Sequence, residues 1–188
     1  MRWQRLFADM QAELEAGVVA AERAEDASRA RLEMGAVRLE DRLGGAVGRE
    51  LVLRCRGAGE VRGLLTEAGS GWVLLTEAGG REVIVALTSV RTVAGLDRAT
   101  AVPAGGEVAR RLDLRWALRS LARDRSSVQV LLDDGGGLTG TVDRVGADFL
   151  EIAQHAPDEL RRSAAVQGVR AVALDAVAAV RRLAPGLD

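Results

Sequence analysis

The residues best suited to chemistry in this 188-residue chain are four arginines that recur at every fourth position. They are Arg111, Arg115, Arg119 and Arg123. On a helix this spacing places all four on one face, with Trp116 beside them. Guanidinium groups neutralise phosphates or an acidic protein, and tryptophan stacks on bases. Three interpretations stay open: a solvated helix face with local ion pairs, a surface for an acidic protein, or a nucleic-acid surface.

The two other reactive side chains do not form a catalytic group. Cys55 alternates with Leu53 and is expected to be a core thiol. As the single cysteine it excludes an internal disulfide. The single histidine, His155, lies in a polar stretch and is expected at the surface. Because no nucleophile, base and acid come together, we expect no enzyme, metal site, cofactor or small-molecule substrate.

Composition narrows the function classes further. The chain has 26 basic and 27 acidic residues, a net charge of −1 and 3% aromatic residues, which argues against general RNA binding. Hydrophobic residues make up 48%, enough for a folded core. No apolar run approaches the roughly 18 residues of a membrane span, and no secretion signal follows Met1, so a cytoplasmic protein is expected. All basic residues are arginine, which suggests a GC-rich bacterial genome.

A long helical arm is predicted over residues 2–43, before Gly44 and Gly45 end it. Trp3, Phe7 and Met10 recur at spacings of four and three, and so share one stripe. This stripe is expected to pack on the rest of the chain or on a second arm. A partner-binding or membrane-surface role is the alternative.

An internal repeat organises the rest of the chain. When the sequence is aligned with itself at an offset of 77 positions, Leu51 aligns with Val128 and Gly63 with Gly140. A shift of 87 aligns the segments that close each copy, since Val90 then falls on Val177. Each copy has a helix followed by five short strands. Glycine inside the second strand of each copy predicts a sharp bend.

The segment Val128 to Leu150, VQVLLDDGGGLTGTVDRVGADFL, resembles the first motif of Sm-like proteins (Sm, LSm and Hfq). The resemblance implies a mainly β fold with helices (α+β): two tandem five-stranded Sm-like, SH3-like barrels, each preceded by a helix, plus the N-terminal arm. The predicted domains are the arm (1–46), the first barrel (47–96), a linker with the inter-barrel helix (97–125) and the second barrel (126–184).

The resemblance also implies an assembly role, because family barrels pair their fourth and fifth strands into rings. By that resemblance, either the two barrels of one chain pair with each other or several chains close a pseudo-symmetric ring. Uridine-binding relatives use an asparagine after the first motif, and this chain contains no asparagine. We therefore expect a non-enzymatic interaction or assembly module: a protein–protein scaffold or regulatory adaptor that binds a protein partner or pairs with itself. The alternative is an RNA- or DNA-binding regulator that uses the arginine stripe.

Overall fold

A computed structural model describes Arg23, Glu25 and the ranges 34–97, 112–156 and 166–183. The chain forms two compact units, Met1–Arg38 and Leu39–Asp188. In the first unit, Arg23, Glu25 and residues 34–36 are helical. The predicted arm stripe of Trp3, Phe7 and Met10 lies outside the described residues.

The second unit contains ten strands and two α-helices among its described residues. The helices are α1 (Leu39–Gly44) and α2 (Leu114–Asp124). The strands of the first half are β1 (Glu50–Cys55), β2 (Gly59–Gly69), β3 (Trp72–Thr76), β4 (Glu82–Ala86) and β5 (Val90–Ala94). Those of the second half are β6 (Ser127–Leu132), β7 (Gly137–Val145), β8 (Phe149–Gln154), β9 (Gly168–Ala173) and β10 (Val177–Arg182). A one-turn 3-10 helix, Leu87–Ser89 or Leu174–Ala176, precedes the last strand of each half.

All ten strands join one open antiparallel sheet in the order β5-β1-β2-β3-β4-β10-β6-β7-β8-β9. The prediction of two tandem five-stranded barrels with a long helical arm is therefore wrong. Strand β4 of the first half pairs with β10 of the second half, which joins both halves into one continuous sheet instead of two closed barrels. The described helices are short, with 6 residues in α1 and 11 in α2.

The internal repeat is confirmed at the level of strand register. Leu51 lies opposite Gly63, and at the equivalent place Val128 lies opposite Gly140. The register shift between β2 and β3 recurs between β7 and β8. Pairing of β1 with β5 and of β6 with β10 also follows one pattern. Two copies of one sequence pattern therefore specify two copies of one strand arrangement.

The repeated strand glycines are needed because a neighbouring strand passes very close. A Cβ atom on Gly63 would lie 2.4 Å from the carbonyl oxygen of Thr76. On Gly140 it would lie 2.0 Å from the carbonyl oxygen of Ala153. Both distances are far below van der Waals contact. The register shifts follow a few residues later in the same strands, where the sheet is irregular.

The core has two apolar clusters, one in each half. Helix α2 covers the cluster of the second half with Ala117, Leu118 and Leu121, which share one face of the helix. Helix α1 contributes Leu43 to the cluster of the first half. Ala179 of β10 also packs into that first cluster. The two halves therefore share core across the β4–β10 pairing.

Candidate functional site

Helix α2 carries the predicted arginine stripe, and Asp113 fixes where it begins. The Asp113 carboxylate accepts a hydrogen bond from the backbone N–H of Trp116 (2.9 Å) and another from Nε of Arg115 (2.7 Å). Arg125 ends the helix in a left-handed conformation with φ of 51°. Partial burial raises the pKa of Asp113, but the N–H of Trp116 and the Arg115 guanidinium together hold it below its ordinary value.

Asp113→Ala is expected to lower the free energy of unfolding by about 1 kcal/mol, because the helix loses its N-cap. Since the pKa of Asp113 is lower in the folded state, its contribution is present above the unfolded-state pKa. It is lost as the pH falls through the folded-state pKa. Asp113→Asn is the matched control, since it keeps the acceptor but does not titrate. Urea unfolding over a pH series checks this: an acid-dependent loss equal in wild type and Asp113→Asn would contradict it.

Three residues of the predicted arginine stripe, Arg115, Arg119 and Arg123, lie on helix α2. Arg115 pairs with Asp113, which reduces its availability to a partner. Arg119 and Arg123 are exposed and line a common cavity. Arg111 lies outside the described residues. Among the described residues, helix α2 therefore presents Arg119 and Arg123 as two neighbouring exposed guanidinium groups.

Trp116 lies between two cavities of opposite charge. Its side chain is 39% exposed and stacks on Trp72, with ring centroids 6.3 Å apart. The indole N–H of Trp72 donates to the carbonyl oxygen of Leu112 at 2.8 Å, which anchors the pair just before α2. Trp116 therefore packs against Trp72 and remains partly accessible to solvent.

The first cavity, which we call the basic cavity, has a volume of about 450 Å³. Its wall combines Trp116 with Arg119, Arg123 and Arg144, and Asp143 adds one carboxylate. Arg144 lies 3.7 Å from the Glu151 carboxylate and is largely exposed. The charges of this cavity are suited to an anionic group.

The second cavity, which we call the acid-rimmed cavity, has a volume of about 210 Å³. It lies where α2 crosses β3, β4 and β10, and both Trp72 and Trp116 line it. Its charged residues are Glu67, Glu82, Asp124 and Arg182. These residues come from three strands and a helix, so the sequence carried no local signal for them.

The pairing of β4 with β10 forms a joint between the halves that polar contacts reinforce. Arg181 donates to both carboxylate oxygens of Glu77, at 3.0 and 3.2 Å. The hydroxyl of Ser89 is buried and lies 3.0 Å from the carbonyl oxygen of Ala178 in β10. The pairing of β4 with β10 therefore shows how an edge strand of one half can pair with an edge strand of another.

The outer edges of the sheet are β5 and β9. In the described part of the chain, no strand pairs with the outer side of either. Most residues of both strands are exposed, including Val169, an apolar residue that is 57% exposed. A sheet edge with unpaired backbone groups is a surface on which another strand can form hydrogen bonds.

The two reactive side chains have structural positions. Cys55 is buried, as predicted, and burial raises the pKa of its thiol. The prediction that His155 lies at the surface is wrong, because it is 3% exposed and lies 2.8 Å from the Thr141 hydroxyl. Because the residues around His155 are polar, the sequence did not indicate that its ring packs inward at the end of β8.

The described residues include no group of side chains that could hold a metal ion. None of the helices described has both the length and the apolar character that a membrane span demands. No protein-family model matches this chain, and no curated protein matches it either.

Proposed function

We propose that this chain is a non-enzymatic assembly module, a scaffold or adaptor that associates with further copies of itself through β5 and β9, the outer strands of the described sheet. The observation that supports this best is the joint between its own halves. There, the fourth strand of one repeat pairs with the last strand of the next. Strand β9 is the fourth strand of the second repeat, and β5 is the last strand of the first. One copy therefore offers both sides of the same joint.

Burial supports the comparison. In β4, Val83 and Ile84 are buried against β10. Their equivalents in β9, Arg170 and Ala171, are exposed. Strand β10 is buried over its first four residues, whereas its equivalent β5 is exposed or partly exposed throughout. The exposed surface of the two edges is the surface that the internal joint buries.

The internal joint also predicts the register of the external one. At the joint, Val180 lies opposite Ile84 and Arg181 opposite Val83. The equivalent positions pair Val93 of one copy with Ala171 of the next, and Ala94 with Arg170. Such a head-to-tail contact closes into a ring if successive rotations close, and otherwise continues as a filament.

Sedimentation equilibrium of the full chain tests the proposal. The wild type is expected to exceed the monomer mass of 19.9 kDa. Ala171→Asp, which places a carboxylate in the outer edge of β9, is expected to return it to monomer. The matched control is Ala147→Asp, an exposed alanine in the β7–β8 turn, which leaves the assembly intact. A wild type that stays monomeric at every concentration would overturn the proposal.

Nucleic-acid binding is a second candidate, and one observation favours it. Arg119, Arg123 and Arg144 line one cavity together with the exposed tryptophan Trp116. Cationic groups beside an aromatic ring are the usual elements of a single-strand surface. The same sedimentation experiment separates the candidates: a mass that falls to that of the monomer after nuclease treatment favours nucleic acid, and an unchanged mass favours protein assembly. Both proposed functions place the protein in the cytoplasm, where the Cys55 thiol stays reduced.

A further inference from the structure

We propose that the acid-rimmed cavity binds the guanidinium group of an arginine presented by a partner polypeptide. The cavity is lined by Trp116, Trp72 and three carboxylates, with one arginine at its rim. This role is separate from pairing at the sheet edges, since the cavity lies at the joint of the halves rather than at β5 or β9. Arginine binding by the cavity can therefore be tested independently of self-assembly.

The charge of the cavity favours a cation. Glu67, Glu82 and Asp124 contribute three negative charges, and Arg182 contributes one positive charge. Glu67 is exposed and forms no ion pair with any of the described residues. A carboxylate that forms no ion pair with the described residues, at the rim of a partly apolar cavity, attracts a cationic group more strongly than one in open water.

The cavity already contains an example of the contact that we propose. Nη1 of Arg182 lies 3.1 Å from Glu82, and its Nη2 lies 3.5 Å from Asp124. One guanidinium group is therefore shared between two carboxylates from different elements. A second guanidinium group, supplied by the partner, would form the same kind of ion pair with the carboxylate of Glu67.

The tryptophan pair favours arginine over other cations. A guanidinium group is planar and weakly hydrated, so it stacks on an indole face while it still donates to a carboxylate. Cations over a tryptophan face are attracted by the negative face of the ring, and more strongly the further they are desolvated. Trp116 is stacked on Trp72 and still 39% exposed, so part of its surface is accessible to a ligand. A volume of about 210 Å³ is below the roughly 300 Å³ of typical small-molecule pockets, which favours one side chain.

The basic cavity on the other side of Trp116 adds selectivity. Arg119 and Arg123 repel a cation there, so a positively charged side chain is directed to the acidic side of the indole. An anion experiences the opposite preference. The basic cavity therefore favours an anion on one side of Trp116, and the acid-rimmed cavity favours a cation on the other.

The test uses the full chain and the peptide acetyl-Gly-Arg-Gly-amide, with acetyl-Gly-citrulline-Gly-amide as the uncharged control. Binding is followed by the NMR shift of the Trp116 indole N–H. We expect the arginine peptide to bind about fivefold more tightly than the citrulline peptide. Glu67→Gln is expected to weaken arginine binding about threefold. Glu60→Gln, a change of an exposed carboxylate on the same strand β2, is the matched control and leaves it unchanged.

The proposal is overturned if both peptides shift the indole equally, or if Glu60→Gln weakens binding as much as Glu67→Gln does. It is also overturned if oligouridylate shifts the indole and the arginine peptide does not, which would assign Trp116 to the basic cavity. Repeating the titration on Ala171→Asp separates this result from assembly. Arginine binding that persists in that variant supports the cavity whatever the outcome at the sheet edges.

Discussion

Gly140→Ala is expected to lower the free energy of unfolding by about 2–3 kcal/mol. The new methyl group would lie 2.0 Å from the carbonyl oxygen of Ala153, which is backbone and cannot rotate away. Strand β8 would have to move away from β7 to accommodate it. Because the pairing of β7 with β8 positions the apolar cluster that α2 covers, the substitution is expected to destabilise the whole second half.

The matched control for this prediction is Gly137→Ala at the start of the same strand. There, a Cβ atom would meet its nearest neighbour, a side-chain atom of Leu131, at 3.8 Å, an ordinary contact. We expect a change within about 1 kcal/mol, since alanine also reduces the entropy of the unfolded chain. Guanidinium-induced unfolding measures both variants. Equal stabilities of the two variants would show that β7 and β8 do not approach as closely as described.

Arg181→Glu is expected to lower the free energy of unfolding by about 2–3 kcal/mol. Arg181 donates two hydrogen bonds to Glu77, whose side chain is only 12% exposed, so little solvent screens the new repulsion between two carboxylates. The contact joins residues that are far apart in sequence and belong to different halves. Its loss weakens the joint between β4 and β10.

Charge reversal on both sides distinguishes this ion pair from a general effect of charge. Glu77→Arg combined with Arg181→Glu is expected to recover at least half of the lost stability, and a double-mutant cycle measures the coupling. Arg62→Glu is the matched control, because Arg62 is exposed on β2 and pairs only loosely with Glu60, at 3.9 Å. If Arg62→Glu destabilises the protein as much as Arg181→Glu, then the joint does not depend on this pair.

The strand arrangement within each half could be predicted from the sequence because its signals are local. The repeated positions of Gly63 and Gly140, the alternation of apolar residues and the turns between them define five strands twice. Their observed registers are identical after the two shifts. Helix α2 was also predictable, since its apolar face has helical spacing.

The way the halves combine could not be derived from local sequence patterns, because it depends on contacts between distant residues; only the resemblance to Sm-like proteins indicated that a fourth strand would pair with a fifth. Val85 of β4 is apolar whether it closes a separate barrel or lies opposite Ala179 of β10. The pair between Glu77 and Arg181, which stabilises the second arrangement, joins two different repeats. The candidate cavities were missed for the same reason, since Trp72 and Arg182 reach Trp116 only after the sheet has formed.

The most direct test of self-assembly is disulfide formation between copies in the predicted register. In a Cys55→Ser background, Ala94→Cys and Arg170→Cys are combined, since paired residues on neighbouring strands satisfy disulfide geometry. Under mild oxidation, we expect covalent multimers of this variant on denaturing gels. Ala94→Cys with Ala173→Cys, three positions out of register, should give few. Monomer alone, or equal multimers from both variants, would contradict assembly through β5 and β9.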